Sequence, residues 1–261
     1  MPYQGIINPL NSFGSIGLSE MENVKLMNRT EIKYVLPFNI LPFLLQDLPG
    51  NYRMLEIDNE RIFSYHNLYL DTQDYYFFNQ HLTGKLSRSK VRYRKYENTG
   101  VTYLEVKKKT NRNRVIKWRL ECKLFPGSPF NEEALAFINS HIRKRDITLK
   151  PVLINRFKRI TLVADGFDER ITIDFDLSYS GLTGNHVNFP FLSIIEIKRK
   201  EHGSGSVLAG LLKRNSIHPA GFSKYCIGNS VINNPSRQNA LKSRFLMLKK
   251  LEYEYTRSLL S

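Results

Sequence analysis

Residues 90–109 read KVRYRKYENTGVTYLEVKKK, and their charges fall on alternate positions. Lys90, Arg92 and Arg94 share one parity; Tyr103, Glu105, Lys107 and Lys109 share another. Strand side chains point alternately to opposite faces, so each set lines one face of a β-strand. Val91, Tyr93, Leu104 and Val106 then face the other way, toward an apolar layer. Between the two runs, Glu97-Asn98-Thr99-Gly100 supplies residue types that accept positive φ, which predicts a hairpin turn. A single strand of this kind fits a solvated sheet face. Repetition along the chain is what changes that reading.

In MNRTEIKYVLP (27–37), Arg29, Glu31 and Lys33 alternate with Thr30, Ile32 and Tyr34, and Pro37 ends the strand. In VIKWRLECK (115–123), Lys117, Arg119 and Glu121 oppose Ile116, Trp118 and Leu120. Over 169–178, Arg170, Thr172, Asp174 and Asp176 alternate with Ile171, Ile173, Phe175 and Leu177; over 191–200, Glu196, Lys198 and Lys200 alternate with Ile195, Ile197 and Arg199. Two more strands are predicted at 61–70 and 152–164. Helices are predicted from a cap at Asn39 to Leu48, over 74–82, from a cap at Asn131 to about Ile142, over 207–213 behind Ser204 or Ser206, and from Lys224 behind Ser223. Ala134, Leu135, Phe137 and Ile138 are the expected buried stripe of the third. Residues 1–24, rich in Gly, Asn and Ser, read as an irregular leader, 25–235 as the main domain, and 236–261 as a basic amphipathic helix. That last run is expected to end the fold or to contact a membrane surface or another protein.

The 39 Lys and Arg residues outnumber the 24 Asp and Glu by 15, and the pI is near 9.7. Such a balance points to a polyanionic partner. Cys122 and Cys226 lack CxxC spacing and suit buried thiols in a reducing compartment. The N-terminus lacks a signal-peptide pattern, and no apolar run approaches the ~20 residues of a membrane span, so a cytoplasmic protein is expected. None of the six histidines shows metal-ligand spacing. Lys108 falls on the face opposite Lys107 and Lys109, which breaks up a nucleic-acid-binding stripe, so no nucleic-acid partner is expected.

An ordinary barrel buries its apolar faces inside and solvates the charged ones. Here most charged faces mix signs at short spacing, and the helices near 39, 131 and 207 are candidate covers for the apolar faces. The fold expected is therefore α+β: an antiparallel β-barrel with a polar, charged lumen, flanked by helices. Unpaired charges in such a lumen cost several kcal/mol each. A multiply charged anion on the basic residues, and a hard divalent cation on the carboxylates, would relieve that cost.

The ordered series RTEIKY, KVRYRKY, LEVKKK, PVLINRFKRI, RITIDFDL, IIEIK and GFSKYC resembles the triphosphate tunnel metalloenzymes, and within them the VTC-type polyphosphate polymerase domains, from about Asn28 to Val231. The resemblance implies an ATP-dependent polyphosphate polymerase that uses Mn²⁺ or Mg²⁺, with ATP and polyphosphate as partners. It implies phosphate contacts from Lys33, Arg92, Arg94, Lys107, Arg159, Arg170 and Lys224, with Arg92, Arg94, Lys107 and Glu196 as the catalytic set. Glu196 matches the metal-binding glutamate, Lys198 stands beside it, and Glu31 and Glu105 are auxiliary metal ligands. Tunnel triphosphatases and class IV adenylate cyclases open with ExExK; here Arg29 takes the first of those positions, replacing a metal-side carboxylate with a phosphate-side cation. That exchange favours polymerisation over hydrolysis of triphosphate, the alternative activity; a third reading is a non-catalytic polyphosphate- or nucleotide-binding module.

Overall fold

The computed structural model describes residues 4–21, 29–112, 114–123, 130–142, 144, 147–200 and 205–260. The chain opens with α1 (Gln4–Asn11), β1 (Ser15–Ile16), α2 (Leu18–Met21), β2 (Arg29–Pro37), α3 (Leu41–Gln46), β3 (Tyr52–Leu55) and β4 (Phe63–Asp71). It continues through α4 (Tyr76–Leu82), β5 (Arg88–Tyr96), β6 (Thr102–Lys109), β7 (Val115–Cys122), α5 (Glu132–His141), β8 (Lys150–Ala164) and β9 (Glu169–Ser180). It ends with β10 (His186–Phe189), β11 (Leu192–Lys200), α6 (Val207–Arg214), α7 (Lys224–Asn233) and α8 (Lys242–Ser258).

Eight strands form one antiparallel path in the order β2-β11-β9-β8-β4-β5-β6-β7, with β1, β3 and β10 attached at its side. Laid flat, β2 and β6 would stand about 29 Å apart at ~4.8 Å per strand. Lys107 on β6 nevertheless lies within electrostatic reach of Glu31 and Lys33 on β2 and of Glu196 on β11. The sheet therefore curls until its charged faces look at one another across a channel. The expected barrel is incomplete, because among the described residues no ladder joins β2 to β7. The outer edge of β2 is met instead by the segment leading into α7, where the Ala220 amide donates to the Lys33 carbonyl at 2.8 Å and Tyr34 bridges Pro219.

The convex face carries the apolar parity. Tyr34, Leu36, Ile160, Leu162, Ile171, Ile173, Ile195 and Ile197 pack with residues of α1, α3 and α6. Leu68, Leu70, Val91, Tyr93, Leu104 and Val106 pack with Ala134 and Ile138 of α5 and Phe77 of α4. Caps form where short polar side chains precede the helices: Asn131 accepts from Ala134, Ser206 from Ala209 and Ser223 from Cys226. Asn39 does not cap; it sits in a 3₁₀ turn at Phe38–Ile40, and α3 starts at Leu41 without a side-chain cap. Leu135 is exposed, while Ala134 and Ile138, one turn apart, are buried against the sheet and Phe137 packs partly buried beside them. Residues 4–21 are not irregular as expected: Ile6 and Leu10 of α1 enter the core, and β1 pairs in parallel with β3. An eight-residue helix and a two-residue strand are too short to leave a periodic signal. At the other terminus α8 lies against the body, with Leu248 and Leu251 buried.

One end of the channel is filled. On the concave face Val35, Tyr69, Leu153, Phe157, Leu177 and Ile194 pack with Tyr225, Cys226 and Ile227 of α7. Leu177 reaches this layer because Asp176 adopts φ +53° and breaks the alternation, leaving Phe175 in the convex core. The Tyr225 hydroxyl donates to Asp71, whose carboxylate also accepts the Phe77 and Phe78 amides at the start of α4. Gly228 makes this seating close: a Cβ there would stand 2.3 Å from a ring carbon of Tyr179 and 2.8 Å from a methyl of Leu153. Both neighbours are fully buried. Gly228→Ala is accordingly expected to lower stability by about 1–3 kcal/mol through overpacking, despite alanine's higher helix propensity. Denaturant unfolding checks this, and an unchanged midpoint would contradict it.

Candidate active site

The first wall of the channel is the β2/β11 pair, where Glu196 stands opposite Lys33 and Lys198 opposite Glu31. Lys33 bonds to Glu31 and, at 3.1 Å, to Glu196; Lys198 bonds to the other oxygen of Glu196. The four side chains are 17–27% exposed, so they face the open part of the channel. Burial pushes the Glu196 carboxyl up, but Lys198 and Lys33 outweigh it and hold the group well below the usual carboxylate range. Glu31 is also lowered: burial and the charge of Glu196 push it up, and Lys33 pulls it down further. The two carboxylates thus repel one another, and both stay ionised at neutral pH.

The second wall is the hairpin β5/β6 with β7. Arg92 donates Nε and Nη2 to one oxygen of Glu105 at 2.9 and 2.7 Å, and Lys117 takes the other oxygen. Glu105 is 2% exposed and held well below its usual range, because Arg92, Arg94 and Lys117 overcome the effect of burial. Encircled this way, Glu105 acts as a counter-ion for the wall. Arg94 donates Nε to the fully buried Asn67 at 2.9 Å and lies over the Tyr65 ring at 5.1 Å, with Glu105 3.9 Å away. Burial and the charge of Arg92 push the Arg94 pKa down. Its positive charge is thus under-compensated, a strain that an anion would relieve.

The floor joins β8, β9 and α7. Arg159 makes a bidentate pair with Asp174 at 2.5 and 2.8 Å, and Lys224, the first residue of α7, bonds to the same carboxylate. Tyr65 stacks on Phe157, and Arg159 lies over the Tyr65 ring at 5.0 Å. Lys90 donates to the Ser223 hydroxyl at 2.9 Å, so the positive end of α7 is directed at the channel.

Most of the residues singled out in the sequence therefore converge: Lys33, Arg92, Arg94, Lys107, Arg159, Lys198, Lys224, Glu31, Glu105 and Glu196 share the concave face. Arg170 sits in register with Lys198 on β11 and Val163 on β8. Arg29 begins β2 opposite Lys200. Asp174, Lys90 and Lys117 join the site although they were not singled out; their alternating parity was the available signal. Asn67 and Tyr65, which orient arginines, left no signal because they are uncharged. Among the described residues, nine cations (Lys33, Lys90, Arg92, Arg94, Lys107, Lys117, Arg159, Lys198 and Lys224) share the channel with four carboxylates (Glu31, Glu105, Asp174 and Glu196). Two surface cavities, of about 260 Å³ beside Tyr52 and about 500 Å³ beside Trp118, lie on the convex side.

Burial pushes Lys90 and Lys107 down to about 8, with neighbouring cations adding to the effect. Below that pH both are charged and ready for an anion; above it, binding must take up protons. Affinity for tripolyphosphate is expected to fall roughly tenfold for each such lysine between about pH 7 and 9. Calorimetric titration across that range tests this, with Lys107→Arg flattening the dependence. A flat profile in the unaltered protein would contradict it.

A family model described as the VTC domain matches residues 28–233. The chain belongs to the VTC-domain family. Every segment of the ordered series, from RTEIKY to GFSKYC, lies inside the matched residues, as do all nine cations of the channel. No curated protein sequence matches this VTC-domain chain. Among solved structures it is similar to a candidate adenylyl cyclase of Hippeastrum described as having a dominant triphosphatase activity, at 18% identity over 79% of this chain and 97% of that one, with a TM-score of 0.46. A candidate adenylate cyclase of Vibrio parahaemolyticus is similar at 10% identity over 76% of this chain and 95% of that one, with a TM-score of 0.44.

Proposed function

We propose that this VTC-domain chain is an ATP-dependent polyphosphate polymerase, working on the concave face of the sheet. The observation that carries the reading is the charge balance of the channel, where among the described residues nine cations, all half-buried or buried except the exposed Lys107 and Lys117, face four carboxylates. A surplus of that size in a partly desolvated space selects for a ligand carrying several negative charges along its length, and the triphosphate of ATP and a polyphosphate chain both have that form.

The carboxylates fit a hard divalent cation. Glu31 and Glu196 lie diagonally on paired strands, close enough to repel one another, and offer oxygen donors alone. Among the described residues no group of three or more His, Cys, Asp or Glu side chains is placed to hold a metal, so the remaining ligands would be phosphate oxygens and water, a common pattern for Mg²⁺ and Mn²⁺. Bound there, the ion would neutralise phosphate oxygens and align the group in transfer.

Phosphoryl transfer needs positioning and charge neutralisation more than covalent help from protein, which suits a site lined by cations and carboxylates. Arg92, Arg94 and Lys107 would neutralise the equatorial oxygens of the γ-phosphoryl group. Arg159, Lys224 and the N-terminus of α7 would hold phosphates at the floor, with Lys33, Lys198 and Arg170 toward the mouth. A terminal oxygen of the acceptor chain attacks the γ-phosphorus, the bond to the β,γ-bridging oxygen breaks, and ADP leaves with that electron pair. The attacking oxygen is already ionised at neutral pH, so no general base is required.

The filled end of the channel favours a second reading, hydrolysis of short triphosphates by attack of water, because a blind channel suits a short substrate. Incubating the purified protein with ATP and Mn²⁺ or Mg²⁺ and resolving the products on a polyphosphate-stained gel separates the two. Chains with ADP support polymerisation. Free phosphate without chains would replace it with hydrolysis, and unchanged ATP that is nevertheless bound would leave a binding module.

A further inference from the structure

A channel filled at one end poses a problem for a growing polymer, which cannot thread through the floor. The layer of Tyr69, Leu153, Phe157 and Leu177 against α7 blocks that route. A second route is present in the sheet. No ladder joins β2 to β7 among the described residues, and the β2 edge is met by Pro219 and Ala220 at Tyr34 and Lys33, the end near α7. The stretch of β2 around Glu31, farther from α7, carries no such pairing among the described residues.

Exposure follows the same line. In a closed barrel the inward side chains of neighbouring strands are shielded alike. Here Arg94 on β5 is 8% exposed and Glu105 on β6 is 2% exposed, but Lys117 on β7 is 41% exposed, and Arg119, two residues on with the same parity, is exposed as well. The concave face thus opens to solvent along β7 and, on β6, at Lys107, which is exposed as well. Lys117 and Arg119 put cations along the β7 lip, so the opening is electrostatically suited to a flexible polyanion.

We infer that polyphosphate enters and leaves this channel sideways, through the seam between β2 and β7, so that an internal stretch of a chain whose two ends are blocked is a ligand. The inference rests on the polyphosphate reading of the site. It follows that the protein engages chains in the middle, and that product release does not require the chain to be drawn out end-first.

The test compares long linear polyphosphate with the same chain carrying a streptavidin block on each terminal phosphate. The blocked chain is expected to bind within about threefold of the free chain and to be displaced by tripolyphosphate. A loss of more than about thirtyfold on blocking, with the free chain still bound, would overturn the inference while leaving the polyphosphate reading intact. So would a blocked chain that tripolyphosphate does not displace, since it would then be held on the outer surface. If neither chain bound, the polyphosphate reading itself would fall and this inference with it. Arg119→Glu supplies a second readout: association of the blocked chain at low salt is expected to slow about tenfold, with tripolyphosphate affinity unchanged. An unaltered association rate would place entry elsewhere.

Discussion

Glu196→Gln is expected to lower metal-dependent turnover of ATP by at least about 100-fold, the scale of losing one principal electrostatic contact to the transferring group. The amide keeps the shape and the hydrogen-bonding oxygen but removes the charge on which the divalent ion depends. The fold should survive, because Lys33 retains its bond to Glu31 and the wall is open to solvent. Affinity for tripolyphosphate without metal should rise, since a negative charge has left the channel. These opposite directions distinguish loss of a metal ligand from general damage, which would weaken both. Turnover with Mn²⁺ at the unaltered level would remove Glu196 from the metal site.

Asp174→Asn should have the largest effect on stability. Asp174 is 4% exposed and holds Arg159 and Lys224 together, and those cations hold its carboxyl down to about 2 against the upward push of burial. Without the charge, two half-buried cations share a floor with no counter-ion between them. Breaking a buried pair in this way costs about 3–5 kcal/mol. Because the same cations are proposed to hold phosphate, tripolyphosphate should restore much of the loss, by about 2.7 kcal/mol when present at 100 times its dissociation constant. Denaturant unfolding with and without tripolyphosphate measures both effects. A loss below about 1 kcal/mol, or no recovery with the anion, would contradict the proposed role of the floor.

The inward direction of the charged faces was legible because side-chain alternation is a local property of a strand, and Arg92, Arg94, Glu105 and Lys107 display it within one hairpin. The same alternation placed Glu196 and Lys198 beside each other. Closure was not legible: whether β2 and β7 pair depends on edges nearly ninety residues apart in sequence and on the Pro219–Ala220 segment that reaches β2 first. The floor was hidden as well, since the segment after Ser223 reads only as a capped helix until α7 is seen lying across the concave face with Tyr225, Cys226 and Ile227 in its core. Asp176 shows where alternation fails; one positive φ sends Leu177 to the layer under α7 and ties Asp176 to Lys158 at 3.0 Å. Glu105 is offered as an auxiliary metal ligand by the family resemblance, and the partners that take up its two oxygens, Arg92 and Lys117, come from two other strands, β5 and β7, which its own segment does not reveal.

The most direct test of the central claim, that the concave face holds a triphosphate with its metal at Glu196, is a crystal structure with Mn²⁺ and a non-hydrolysable ATP analogue. The expected result is an anomalous manganese peak bound to Glu196 and phosphates in contact with Arg92, Arg94, Arg159 and Lys224. An analogue bound on the convex surface, with the Arg159–Asp174–Lys224 floor unchanged and no manganese at Glu196, would contradict it.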